Sequence, residues 1–187
     1  MPPNPDRDTL TLLRRRDPRG FDQAYASYAT RLYSFLYRLV GPQQRHLAED
    51  FLQQTFLRLA EYGPELRADS DLRAWLYTVA RNAFLAHVRS RRHNADHPNL
   101  ELVADYSADA EARLLLGDLE QALDRLRVED RELLLLVGVE GLEPQAVAHM
   151  LAVDPVTLRK RLARARQRLL HELEQRTPAN ATKEAVK

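Results

Sequence analysis

Apolar residues recur at helical spacing through the first half of the chain and predict a series of amphipathic helices. The first stretch stops at Gly41-Pro42, a pair that ends a helix. A second helix is predicted from about Gln44 to Tyr62, just before Gly63-Pro64. The apolar face of the first stretch consists of Phe21, Tyr25, Tyr28, Leu32, Phe35, Leu36 and Leu39.

A third helix follows and completes a helical unit. It is predicted to begin near Ser70 or Asp71, either of which could cap it, and to run to about Arg92. The pattern therefore predicts a bundle of three or four helices over residues 18–93, preceded by an N-terminal extension, residues 1–17.

The periodic pattern is interrupted after His93 and then resumes. Residues 94–110 are rich in Asn, Asp, His, Pro and Ser and predict a flexible linker, and residues 176–187 predict a flexible polar tail. Between them, helices are predicted at residues 111–126, 128–139, 143–151 and 155–175. We therefore predict an all-α protein of two small helical domains, 18–93 and 111–175.

Composition narrows the class of protein only slightly. Charged residues make up 29% and apolar residues 44%, a balance that supports a folded core, and the net charge of +1 does not by itself indicate nucleic-acid binding. The chain has no cysteine, which excludes disulfides and thiol chemistry. The start lacks a signal-peptide core, and the longest apolar run, Leu133–Val139, is too short to span a bilayer, so a cytoplasmic protein without membrane insertion is expected.

The segment around Asp154-Pro155 predicts a DNA-reading helix-turn-helix. Asp caps a helix start, and Pro is tolerated in the first turn. The preceding helix is short, is joined by three residues and carries the small Ala148 where two helices would cross. Leu158, Leu162, Ala165 and Leu169 form one apolar stripe of the second helix. Arg159, Lys160, Arg161, Arg164, Arg166 and Arg168 lie off that stripe, as on a surface that binds phosphates.

This segment resembles region 4 of the extracytoplasmic function (ECF) group of sigma-70 factors. Residues 146–166 follow the family pattern E-I-A-x-x-L-G-I-S-x-G-T-V-K-S-R-L-x-R-A-R without gaps, and residues 122–136 resemble A-L-x-x-L-P-x-x-x-R-x-V-L-x-L. Ala152 and Val156 stand where the family has Gly. Because a positive φ at Ala152 would cost on the order of 1 kcal/mol, a slightly reshaped turn is predicted.

The resemblance implies that the last helix reads a promoter −35 element. Val156, Arg159 and Lys160 are then expected nearest the bases, together with Thr157. Arg161, Arg164 and Arg166 are expected to hold phosphates.

Residues 48–59 resemble A-E-D-x-x-Q-x-x-F-x-R-L of sigma region 2.2, which in the family docks on the polymerase β′ clamp helices. The resemblance implies core polymerase contacts, including the β flap for region 4. The candidate core-binding residues are Asp50, Gln53, Gln54, Phe56 and Arg58. Taken without the resemblance, this segment is an ordinary amphipathic surface helix.

Residues 75–89 follow W-L-x-x-I-A-x-N-x-x-x-D-x-x-R, the family's −10 reading and strand-opening helix, with Ala86 where Asp or Asn is frequent. The helical wheel separates an apolar side from a basic side with a hydrogen-bonding amide, which suits an unstacked strand. In the family the preceding loop, here residues 67–71, helps to pocket a flipped base. Trp75 is expected in the core, whereas Tyr77 and Phe84 are open between core and strand. The candidate −10 residues are Arg67, Asp69, Ser70, Tyr77, Arg81, Asn82 and Arg89.

Other chemistry is not predicted. His171-Glu172 lacks the second His of a zinc-protease motif, and Asp69 and Asp71 lack the glycine and later acid of a calcium loop, so no metal site, cofactor or enzyme activity is expected. The predicted partners are core RNA polymerase, promoter DNA and, as the resemblance implies, an anti-sigma factor. The alternatives are a regulator with a similar helix-turn-helix but a signal-receiving N-terminal domain, and a helical adaptor whose basic face binds an acidic protein.

Overall fold

The computed structural model describes residues 6–93 and 110–175, which divide between two compact units, residues 1–100 and 101–187. Every regular element within those ranges is helical. The first unit contains α1 (Arg7–Arg14), α2 (Pro18–Val40), α3 (Arg45–Tyr62) and α4 (Leu72–His93). The second contains α5 (Ala110–Arg125), α6 (Val128–Leu134), α7 (Pro144–Met150) and α8 (Pro155–Glu174). The predicted all-α class is confirmed. The predicted tail and residues 94–109 of the predicted linker lie outside the described residues, whereas Ala110 begins α5.

Helix α2 is the centre of the first unit, where it packs against α1, α3 and α4. Asp17 caps the start of α2 by accepting a hydrogen bond from the amide of Arg19, and α2 ends before Gly41, whose φ is 82°. The predicted apolar face is largely buried, with Leu32, Phe35 and Leu36 fully enclosed. The cap of α4 is Asp71, whose Oδ1 accepts from the Ala74 amide at 2.8 Å, so of the two predicted caps the structure selects Asp71.

Helix α1 lies within the predicted N-terminal extension, residues 1–17. It buries Leu10 and Leu13 against α2. The two helices approach so closely at Gly20 that a Cβ there would lie 2.7 Å from the Leu13 backbone nitrogen. Before α1, the buried Asp6 carboxylate accepts a hydrogen bond from the Tyr28 hydroxyl at 2.7 Å. The N-terminal extension, residues 1–17, therefore contains a helix that the sequence pattern did not predict.

The second unit is built on the apolar stripe of α8. Leu158 and Ala165 are fully buried and Leu162 is nearly so, as predicted, and α5, α6 and α7 all contact α8. Helix α6 continues into a π-helical segment, Leu135–Val139, which helical periodicity did not predict. Arg131 of α6 is buried and donates to the carbonyl oxygens of Leu123, Asp124 and Leu126, so it satisfies the C-terminal carbonyls of α5.

The turn between α7 and α8 keeps the geometry that favours glycine. Ala152 has φ 52°, and the Val153 amide donates to the carbonyl of Ala148 at 3.0 Å, as in a Schellman helix end. The prediction of a reshaped turn was therefore wrong. The chain tolerates the left-handed alanine instead.

We expect Ala152→Gly to raise the free energy of unfolding of the second unit by about 0.5–1 kcal/mol, because it removes Cβ strain that exceeds the added chain entropy. Hydrogen exchange of the α7 and α8 amides measures this change. Ala163→Gly, at an exposed mid-helix position with ordinary helical geometry, is the control and should lower stability by about 1 kcal/mol. Equal destabilisation by both variants would contradict the strain at Ala152.

Within residues 6–93 and 110–175, no helix combines the length and apolar character needed to cross a bilayer.

Candidate nucleic-acid and protein interfaces

An open groove of about 680 Å³ separates α3 from α4. Residues spaced by four on α3 form one wall, and residues spaced by three or four on α4 form the other. The lining residues are Gln54, Arg58, Tyr62, Glu65, Leu66, Trp75, Val79, Asn82, Ala83 and Ala86. Its volume lies within the roughly 300–1,000 Å³ that is usual for ligand sites. The groove therefore has room for a planar group, with an aromatic wall and several polar side chains.

Arg58 projects into this groove rather than lying apart from it. Its guanidinium lies 5.6 Å from the centroid of the Tyr62 ring and donates to the Tyr62 hydroxyl at 3.3 Å and to Glu61 at 3.2 Å. These partners are exposed, so each contact is worth at most about 1 kcal/mol and can be exchanged for a ligand. Arg58 and Gln54, both predicted to contact polymerase, thus share a groove with the predicted −10 residue Asn82.

The loop before α4 is ordered by a pair between two predicted −10 residues. Arg67 donates to the Asp69 carboxylate through Nε at 3.0 Å and NH2 at 2.8 Å, and these hydrogen bonds lower the pKa of Asp69 below its usual value. The Ser70 amide closes the turn onto the carbonyl of Arg67 at 3.1 Å. Any strand contact by Arg67 or Asp69 must therefore use the edge of this pair or break it.

Helix α4 carries its predicted strand-binding residues at different depths. Asn82 and Arg89 are exposed and Arg81 is half-buried. Tyr77 has no exposed surface, because its ring packs edge-on against Phe35 with centroids 5.2 Å apart. Its predicted strand contact is therefore wrong, and it is a core residue.

The other aromatic residues of α4 also differ in depth. Phe84 is 5% exposed and belongs to the core. Trp75, expected in the core, is only half-buried and lines the α3/α4 groove. The four-residue spacing of Gln54, Arg58 and Tyr62 was the sequence signal that could have identified the opposite wall.

A second groove, of about 330 Å³, lies between α2 and α3 and is mostly apolar. Exposed surface of Tyr25 and Leu57 flanks it, and Gln53 contributes a polar group. The lining residues are Phe21, Tyr25, Glu49, Leu52, Gln53, Phe56, Leu57 and Ala60. The α2 aromatic residues of this wall were not predicted as site residues, because their helical spacing places them on the apolar face of α2.

Phe56 forms the floor of the α2/α3 groove. It is only 4% exposed and packs against Phe21 and Tyr25, with ring centroids 5.8 and 4.8 Å away. Its predicted polymerase contact is therefore restricted to the small part of the ring that the groove exposes. Asp50 is exposed on α3, so the predicted docking residues divide between two grooves and the solvent.

Helix α8 presents its basic residues to solvent. Arg159, Lys160, Arg161, Arg164 and Arg166 are all exposed, and Thr157 is half-buried. Arg168, by contrast, is paired with Asp130 of α6. The predicted phosphate-binding face therefore keeps its cationic side chains accessible.

The N-terminal end of α8 is capped as predicted. Asp154 Oδ1 accepts from the amides of Val156 at 3.0 Å and Thr157 at 2.9 Å. The hydrogen bonds from Thr157 lower the pKa of Asp154 below its usual value. Val156 is 53% exposed.

Across the parts of the chain that the structure describes, no group of three or more His, Asp or Glu residues is placed to hold a metal ion.

Known proteins resemble both units. Residues 24–94 match the Sigma-70 region 2 family and residues 116–169 match Sigma-70, region 4. The chain is 32% identical over 163 residues to the ECF RNA polymerase sigma factor SigE of Mycolicibacterium smegmatis, covering 80% of this chain and 60% of that protein. It is 31% identical over 140 residues to EcfG of Rhodopseudomonas palustris, covering 74% and 76%.

A solved structure shows the same architecture. The sigma factor RpoE of Bartonella quintana, in a co-crystal structure with the anti-sigma factor NepR, superposes with a TM-score of 0.71 at 29% identity, covering 82% of this chain and 96% of that one. The chain contains sigma regions 2 and 4 in this order, and the match to EcfG covers 76% of that protein. These matches identify the family. The chain belongs to the ECF group of the sigma-70 family of RNA polymerase sigma factors.

Proposed function

We propose that this sigma factor binds core RNA polymerase and directs it to promoters by recognising a −35 element with the second unit and a −10 element with the first. The observation that carries the proposal is the presence, in one chain, of both sigma regions, each with an accessible surface suited to its task. Two linked modules gain affinity from effective concentration, so neither needs a large interface. Such a role is not enzymatic and belongs in the cytoplasm, where polymerase acts.

The α3/α4 groove is the proposed site for an unstacked base of the −10 strand. Trp75 and Tyr62 supply aromatic surface, and Asn82 offers an amide donor and acceptor to a Watson–Crick edge. Arg58, which the sequence predicts as a polymerase contact, lines this groove, and its proposed role here is to bring its charge to the strand backbone. Arg67, Asp69 and Ser70 form the adjacent loop, and Arg81 and Arg89 continue the strand path along α4.

We expect Asn82→Ala to weaken −10 strand capture by about tenfold, because a base loses one hydrogen-bonding partner in a sheltered groove. The measurement is promoter opening by full-length protein with core polymerase, followed by permanganate reactivity of unpaired thymines. Gln121→Ala, which removes an exposed amide from α5, is the control and should leave opening unchanged. Normal opening by the Asn82 variant would exclude the groove as a base site.

The α2/α3 groove, together with Asp50 and Gln53, is the proposed docking surface for the β′ clamp helices of polymerase. Its apolar floor supplies buried area, and the polar residues on α3 set specificity. Contact of the second unit with the β flap is proposed from the family alone.

Replacing Asp50 by Lys together with Gln53 by Ala should weaken association with core polymerase at least about tenfold. Both changes remove polar groups from the proposed interface and leave their partners on polymerase without a hydrogen bond or opposite charge. Size-exclusion chromatography with sigma-free core measures the complex. The same pair of changes at exposed positions on α1 and α5, Asp8→Lys with Gln121→Ala, is the control and should elute with core as the wild-type does. If the α3 variant also co-elutes normally, the docking assignment fails.

The same chromatography with unmodified protein tests the whole proposal. A complex that initiates transcription at a promoter supports it, and absence of both complex and transcript would refute it. A helix-turn-helix regulator would bind DNA without core. An adaptor for an acidic protein would keep its partner in the presence of competitor DNA.

An anti-sigma factor is a further proposed partner. The support is the likeness to RpoE, whose structure was solved with NepR.

A further inference from the structure

The start of α8 has no amide free to bind a phosphate. Pro155 has no N–H, the amides of Val156 and Thr157 donate to Asp154 Oδ1, and the Leu158 amide donates to the Asp154 carbonyl at 3.0 Å. Helix N-termini commonly bind anions through such amides. Here the ionised Asp154 already occupies them, and a second anion would be repelled.

The surface at this helix end is small and apolar instead. Val156 is 53% exposed, and the neighbouring Ala152 and Pro155 are also exposed. The first cationic side chain of the helix is Arg159, a full turn later. A single exposed valine is ordinary on a protein surface, but this one stands at the end of a recognition helix where base edges are contacted.

We infer that Val156 reads the C5 methyl group of a thymine in the −35 element. The inference rests on the proposed function and adds a base-specific role that the glycine usual at this position in the family could not perform. In the major groove the thymine methyl is the apolar group of the base edges, whereas cytosine presents an amino donor instead. Arg159 and Lys160, three and four residues further on, lie on the same side of the helix and offer donors to neighbouring bases.

The test compares thymine with uracil, which differs only by that methyl group. Full-length protein with core polymerase is used to select −35 sequences from a randomised duplex pool, and the selected duplexes are then remade with deoxyuridine at each thymine in turn. We expect one thymine position at which uracil weakens binding about fourfold, the effect of one buried methyl group. With Val156→Ala the preference for thymine at that position should fall, and with Val156→Gly, which removes every side-chain methyl group, the two duplexes should bind equally.

Val139→Ala is the matched control, because it removes a valine of similar exposure, 50%, from the π-helical segment of the same unit. It should keep the full preference for thymine. Equal binding of thymine and uracil by the wild-type at every position would overturn the inference while leaving −35 recognition intact. A preference that survives Val156→Gly would overturn it as well. If selection enriches no −35 sequence, both the proposed −35 recognition and the inference about Val156 are contradicted.

Discussion

Replacing Arg131 by methionine is expected to lower the free energy of unfolding of the second unit by about 3 kcal/mol. The Arg131 side chain is 9% exposed and pairs with Asp124 at 3.1 Å while donating to three carbonyl oxygens at the end of α5. Burial raises the pKa of Asp124, and its Oδ2 has no hydrogen-bond partner among the described residues. Removal of the guanidinium would leave this carboxylate and the α5 carbonyls unsatisfied.

Because the only tryptophan is Trp75, in the first unit, hydrogen exchange of the α6 and α8 amides in urea is the suitable measurement. Arg127→Met, at an exposed position before α6, is the matched control and should change stability by less than about 0.5 kcal/mol. Adding Asp124→Leu to the Arg131 variant should recover part of the loss, since the stranded charge is then gone. A loss below about 1 kcal/mol for Arg131→Met would show that the pair is not an important stabilising contact.

Replacing Arg159 and Lys160 together by alanine is expected to weaken −35 binding about a hundredfold, because each residue supplies a charge or a base contact worth about 1–3 kcal/mol. Both side chains are exposed near the start of α8. The slope of log affinity against log salt should also fall by up to about 2 if both contacts are electrostatic.

The measurement is a salt titration of promoter binding by the protein with core polymerase. Arg14→Ala with Arg15→Ala removes the same charge from exposed positions at the end of α1 and should keep the wild-type slope. An unchanged slope in the α8 variant would show that α8 does not contact the DNA through these two residues. An equal fall in both variants would indicate a general effect of net charge.

The sequence predicted those helices that carry strong local signals. Asp154-Pro155 and Gly41-Pro42 mark a start and a stop through caps and backbone geometry, which depend on neighbouring residues alone. Helix α1 was not predicted although it is amphipathic, because it spans only eight residues and buries only Leu10 and Leu13. Its close approach to α2 at Gly20 joins two segments and cannot be inferred from spacing within one of them.

The helices that carry the candidate site could be predicted, but the burial of each site residue could not. Tyr77 and Asn82 both fell within the predicted strand-binding helix, yet one is buried and the other exposed, because α2 covers only one side of α4. Likewise, the resemblance grouped Gln53 with Arg58, while the fold places them in separate grooves. Spacing along a helix gives relative direction, and only packing decides which direction faces solvent.

The hydrogen bond between Asp6 and Tyr28 sets where the first unit can be cut. A chain trimmed to begin at Arg7 would keep every helix yet leave a buried phenol without its acceptor, at a cost of about 1–3 kcal/mol. Burial is the largest cause of the raised pKa of Tyr28 and remains when Asp6 is removed, so the phenol would stay protonated with its O–H lacking this acceptor. A truncated or fused version of this domain should therefore keep Asp6, the residue just before α1.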